Sequence, residues 1–240
     1  MRSDKKDGFS LFHHNESAED WSSLPLDRKI KGGASFSGNE RDSVFLNKEG
    51  KDFVNISGIT GLDDPGDGRS FAILDYDRDG WPDLVVASAT APTLQLYRNQ
   101  MGDKSSAGVR KNQMFAVRFV GGNHTAAPST EWSNRDGYGA AITVELDGMT
   151  LVREHRAGEG LGAENSATML VGIGERTGAK SLKVRWPSGK TQELANVPAN
   201  TLLTVYENPA DSPTRSAFVA KPYKIDSIKP PKQRDLATLR

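Results

Sequence analysis

The chain has 240 residues, of which 36% are hydrophobic and 26% charged, with acidic and basic side chains balanced at 31 each. It is long enough for one large or two modest domains, and its balanced charge excludes a global field that would steer it to nucleic acid or an anionic membrane. No cysteine is present, which excludes disulfides and thiolate metal sites, and no stretch reaches the roughly 18 apolar residues that span a bilayer.

With 24 Gly and 12 Pro, the composition favours short strands joined by turns over long helices. Residues 1–39 read as an irregular polar arm, and the adjacent His13 and His14, lacking a partner motif, read as surface residues. The start Met1-Arg2-Ser3-Asp4-Lys5-Lys6-Asp7 has no apolar segment behind it, so no signal peptide is expected in the chain as given. Such a chain is cytoplasmic, has a trimmed start, or is a fragment of a longer exported protein.

Residues 40–100 carry β patterns. Ser43–Asn47 and Phe53–Ser57 are short strands, and Gly58–Gly68 is a loop dense in Gly, Asp and Pro. Phe71–Leu74 and Leu84–Ala87 read as buried strands, and Leu94–Tyr97 alternates. Residues 100–113 form a boundary. The region 114–207 then opens with Met114–Val120 and continues with strands near 140–146, 150–155, 168–172, 181–186, 190–194 and 201–206. Turn signals between them and the lack of helical crossovers predict a sandwich or barrel. The Pro- and Lys-rich residues 208–240 read as a tail or linker with little structure of its own.

The strongest chemical signal is Asp75-Tyr76-Asp77-Arg78-Asp79-Gly80-Trp81-Pro82-Asp83. Carboxylates at alternate positions come to one side when the chain curls, and Gly80 permits the sharp turn. Asp75, Asp77, Asp79 and Asp83, with the main-chain carbonyl of Trp81, make a hard oxygen shell suited to Ca²⁺. An EF-hand is excluded, because position 12 is Val86 and both flanks are β-type. The nearby Asp63-Asp64-Pro65-Gly66-Asp67 reads as a turn. Arg153–Arg156 reads as a solvent-facing strand end, and Trp132 and Trp186 as packed aromatics. No nucleophile-elbow, zinc-protease, Walker or Rossmann motif appears, so no catalytic residue is assigned and a non-enzyme is expected.

Two resemblances follow from these motifs. Residues 53–99, with GITGLD, AILDYDRDGWPDLVVAS and LQLYRN, resemble the FG-GAP or VCBS-type repeat of β-propellers, in which each repeat is about one blade and the Asp-rich loop binds calcium. Asn134–Glu207 is similar to the ASPIC/UnbV domain, through Asn134-Arg135-Asp136-Gly137-Tyr138-Gly139-Ala140, Arg153-Glu154 with Gly158-Glu159-Gly160, and Val184-Arg185-Trp186-Pro187-Ser188-Gly189-Lys190. The two in this order resemble the cartilage acidic protein family and its bacterial relatives. About 60 residues of repeat cannot close a propeller of typically 4–8 blades.

The expected architecture is therefore all-β: partial propeller-like FG-GAP blades packed with a small sandwich- or barrel-like ASPIC/UnbV module. The expected function is a calcium-binding, non-catalytic binding or adhesion module with a protein or carbohydrate partner. The resemblance implies an extracellular, periplasmic or cell-surface location. The alternatives are an accessory domain of a larger multidomain protein and a polysaccharide-active enzyme with structural calcium.

Overall fold

The computed structural model describes residues 25, 28–29, 32, 34–35, 38–102 and 112–223. His13 and His14, and most of the expected arm and boundary, lie outside these residues. The chain divides into two compact units. The first comprises Met1–Ala72, Leu84–Tyr97 and Gly160–Ala163; the second comprises Ile73–Asp83, Arg98–Glu159 and Glu164–Arg240.

In the first unit, β1 (Phe45–Lys48) and β2 (Asp52–Asn55) form an antiparallel hairpin. A single helical turn, Ser57–Thr60, occupies the start of the segment expected as loop. Its Ser57 side chain accepts from Val44 N at 2.8 Å and donates to Asn55 Oδ1 at 2.6 Å, which fixes the exit from β2. A three-stranded sheet runs in the order β3 (Gly68–Leu74), β4 (Asp83–Ser88), β5 (Leu94–Tyr97). The acidic turn before β3 is built as its composition predicts. Asp64 Oδ1 accepts from Gly66 N at 2.7 Å, Asp63 pairs with Arg41 at 3.0 Å, and buried Asp67 accepts from Ser35 Oγ at 2.7 Å.

The second unit is a β-sandwich. One sheet has the order β11 (Thr191–Pro198), β10 (Gly178–Arg185), β7 (Ala141–Leu146), β8 (Met149–Glu154). The other has the order β13 (Phe218–Pro222), β12 (Thr201–Tyr206), β6 (Gln113–Val120), β9 (Thr168–Gly174). Strict alternation sends Phe115, Val117 and Phe119 of β6 and Leu203 and Val205 of β12 into the same core as Ile142, Val144, Leu182 and Val184 from the other sheet. Trp186 closes that core, fully buried, with its ring edge on Phe119 and its Nε1 donating to Gln192 Oε1 at 2.9 Å.

Local and distant pairings divide the labour. β7 and β8 join through the two-residue turn Asp147-Gly148, and β10 and β11 through Pro187-Ser188-Gly189. By contrast β12 pairs with β6 in parallel, Leu203 against Val117 and Val205 against Phe119. That pairing joins strands more than 80 residues apart and is invisible to turn signals.

Residues 208–223 correct the expectation of an unstructured tail. Asn208 caps the 3₁₀ turn Pro209–Asp211 by accepting from Ala210 N at 3.1 Å. The chain then returns, and β13 adds antiparallel to β12, ending at buried Tyr223. Pro, Ser and charged residues are scattered through this stretch, but Phe218-Val219-Ala220 supplies enough extended apolar sequence to complete a sheet edge.

Glu207, at the end of β12, ties three loops of the sandwich together. Only 2% exposed, its Oε2 accepts from Gly122 N at 2.9 Å and Ser133 N at 2.8 Å. Its Oε1 accepts from Ser133 Oγ at 2.8 Å and Ser188 Oγ at 2.5 Å. Burial alone would raise this carboxyl, yet the converging donors outweigh it and hold the pKa below the ordinary value.

Candidate metal centre

The loop between β3 and β4 curls on its own main-chain donors. Asp75 Oδ1 accepts from Asp79 N at 3.1 Å and Oδ2 from Gly80 N at 2.8 Å. Asp79 Oδ1 accepts from Trp81 N at 2.8 Å, and Asp83 Oδ2 accepts from Tyr76 N at 3.0 Å. Gly80 has φ 91°, a left-handed conformation that a side chain would strain, and this lets the chain reverse inside nine residues. The alternating aspartates therefore shape the turn as well as fill it.

Asp75, Asp77 and Asp83 each offer a carboxylate oxygen, and these atoms all lie within 4.8 Å of one another. Oxygens bound to one Ca²⁺ at about 2.3–2.6 Å stand up to about 5 Å apart, so the triad fits one such ion. Asp79, expected as a ligand, is not in this triad: one of its oxygens holds Trp81 N and the other faces Arg98 Nη2 at 3.4 Å. Trp81, expected to contribute its carbonyl, has its ring against Gly102, where a Cβ would come within 2.7 Å of the indole.

The electrostatics are those of a site short of positive charge. Burial raises the pKa values of Asp75, Asp79 and Asp83; Asp83 adds to the effect at Asp75, and Asp77 adds to it at Asp79 and Asp83. Arg98 supplies part of the missing charge, its Nε 2.7 Å from Asp77 Oδ2. Asp83, 2% exposed, is also held by Asn99 N at 2.8 Å.

Three of the contributing residues escaped sequence reasoning. Arg98 and Asn99 follow β5, and the pairing of β5 with β4 returns them to the loop. The adjacency of Arg98-Asn99 to a strand end was the available signal. Tyr223, 148 positions from Asp75, donates its hydroxyl to Asp75 Oδ2 at 2.9 Å, and Arg78 lies over its ring at 5.3 Å. No local pattern announces that contact. Tyr223 also packs with Met114 and Ala116, so the Asp loop is fastened to the β6 sheet within the second unit.

The charged stretch after β8 also departs from expectation. Arg153, Glu154 and Arg156 are exposed as expected, but His155 is buried. The β7–β8 pairing extends one position past Glu154, His155 N donating to the main chain of buried Ala140 at 2.8 Å, and the ring turns inward there.

These features define a β-sandwich carrying an acidic, oxygen-only turn. Residues 130–212 match the family model described as ASPIC and UnbV. That match takes in β7 to β12 and Glu207 with its partners Ser133 and Ser188. No curated protein matches the chain. Among the described residues no helix is long and apolar enough to cross a membrane.

Proposed function

We propose that this protein is a calcium-stabilised, non-catalytic binding module. The observation that carries the reading is the convergence of Asp75, Asp77 and Asp83 on one side of a tight turn. Asp79 and the Trp81 carbonyl would complete the all-oxygen shell that Ca²⁺ prefers. The ion offsets the carboxylate repulsion that Arg98 relieves only in part. On this reading residues 53–99 are an FG-GAP or VCBS-type unit, the module is exported or surface-associated, and its partner is a protein or a carbohydrate.

A second reading, an accessory domain of a larger assembly, is favoured by the exposed apolar residues of the first unit: Phe45, Phe53, Phe71 and Leu94 all stand more than half exposed.

Thermal unfolding with calcium and with chelator tests the metal. At an ion concentration about 100 times Kd, binding contributes about 2.7 kcal/mol. At about 2–4 °C per kcal/mol for a chain of this size, Tm rises by roughly 5–10 °C. Asp77→Ala should abolish the rise. Identical curves with calcium and chelator would remove the metal from the account. For the non-catalytic part, a hydrolase and lyase screen should give no turnover; turnover lost on substituting a carboxylate outside the loop would overturn it. A glycan array separates carbohydrate from protein partners.

A further inference from the structure

The second unit buries a titratable ring that the metal reading does not use. His155 is 5% exposed, and its Nε2 is the one fully buried side-chain polar atom among the described residues that lacks a hydrogen-bond partner. The imidazole lies between two aromatic rings. Phe119 of β6 is on one side, centroids 5.0 Å apart at 27°, and Tyr138 on the other, 4.7 Å apart at 22°.

The turn that carries Tyr138 is fastened to this stack. Gly139 N donates to His155 O at 2.7 Å, and His155 N donates to Ala140 O at 2.8 Å. Asn134 clasps Tyr138 from both directions, its Nδ2 donating to Tyr138 O at 2.7 Å and its Oδ1 accepting from Tyr138 N at 2.9 Å. At Gly137, a Cβ would lie 2.6 Å from Phe119 Cβ and 3.1 Å from the Trp186 ring, so the turn packs tightly on these two side chains. The Tyr138 hydroxyl donates to Glu164 Oε1, and that bond pushes the phenol up to about 12.

We propose that His155 is an acid-sensitive latch: neutral, it is the middle leaf of a three-ring stack that pins the 134–140 turn to the sandwich; protonated, it releases that turn. A proton on Nε2 creates a buried N–H with no acceptor in reach, and the ring must leave the stack to solvate it. The groups facing it are few. From the turn come the Asp136 carboxylate and its main chain, and from the segment before β9 the Glu164 carboxylate; all three favour the charged ring. The field of Asp136 is shared with Arg135 and with Arg118 of β6. Phe119 and Trp186 are apolar on that side.

Burial outweighs those attractions and holds the imidazole below its ordinary 6.5. The sign follows from linkage. Between the lowered value and 6.5 the unfolded chain binds the extra proton, so stability is complete above 6.5. It declines as pH falls through that window and is level below it. This latch is independent of the metal loop.

The test combines a titration with an unfolding series at fixed calcium. In the NMR titration of the intact protein, His155 should have a pKa below 6.5, and the Tyr138 ring signals should shift or broaden with the same midpoint. A His155 pKa at or above 6.5, or Tyr138 signals indifferent to it, overturns the latch. In urea unfolding, lowering the pH from 7.5 to 5.5 should reduce the folding constant several-fold more in the wild type than in His155→Phe, which keeps a flat ring in the stack. The ceiling for one group of ordinary pKa 6.5 at pH 5.5 is about tenfold. Equal pH dependence in the two proteins also overturns it. Because the titration uses the unsubstituted chain, failure of the variant to fold leaves the test intact.

Discussion

The strands of the two units look alike as sequence and differ in what surrounds them. In the second unit Phe115, Ile142, Leu182, Val184 and Trp186 are fully buried between two sheets. In the first, Phe45 is 54% exposed and Leu94 67%, and every residue of β1 and β2 is exposed. Alternation decides which side of a strand is apolar, and only a second sheet decides whether that side is dry. The second unit acquires its second sheet through the parallel β12–β6 pairing. A hairpin such as β1–β2 has marginal stability of its own. Burial, and with it stability, is thus concentrated in the second unit.

The largest effect that sharpens this contrast is Trp186→Ala. The substitution empties the centre of the sandwich, removes the edge contact to Phe119 and leaves Gln192 Oε1 without its donor. The cost should be about 3–5 kcal/mol, read from the midpoint of denaturant unfolding by a probe of the β-sandwich. A cost under about 1 kcal/mol would mean that the buried and exposed units do not differ energetically as their burial requires.

Glu207→Gln comes next. Its amide keeps the side chain's shape but replaces one acceptor oxygen with a donor facing groups that themselves donate. Hydrogen bonds to a charged group are worth about 1.5–3 kcal/mol, and the loss should fall in that range. The pH dependence gives a second reading. With its pKa held below the ordinary value, the carboxylate stabilises the fold fully above that value. The contribution is lost as pH falls through the lowered one. The substituted protein should lack that acid-range component, and an unchanged acid limb would contradict the assignment.

Legibility followed the range of the interactions. The hairpin β7–β8 and the β3–β4 loop were readable, because the turn residues Asp147-Gly148 and the alternating aspartates act within a few positions. The ends of β5 and β12 matched, since Tyr97 is followed by Arg98-Asn99 and Tyr206 by Glu207-Asn208-Pro209. The parallel β12–β6 register was not readable, and neither was β13, whose apolar core of Phe218-Val219-Ala220 sits inside a Pro- and Lys-rich stretch. At the β3–β4 loop the approach of Asp75, Asp77 and Asp83 was legible from spacing, whereas Tyr223 reaches Asp75 only because β13 exists. His155 looked like surface because charged residues flank it on both sides, and its burial rests on the rings of Phe119 and Tyr138, which no local pattern brings to it.

The smallest expected effect tests the other side of the contrast. Phe71 lies in β3 and is 58% exposed, and it lines a groove of about 550 Å³ with Val44, Phe45, Leu62, Leu84 and Val86. If the exposure seen in the first unit is the whole of its environment, Phe71→Ser removes little buried surface. The change in unfolding free energy should then stay within about 0.5 kcal/mol, as at ordinary surface positions. The same substitution lowers the apolar content of a β-rich segment, so light scattering of concentrated protein should fall rather than rise. A cost of about 2–3 kcal/mol, the size expected for a buried aromatic, would show that the groove is filled in solution. The comparison between the two units would then be one of where the partner lies, not of whether the strands have one.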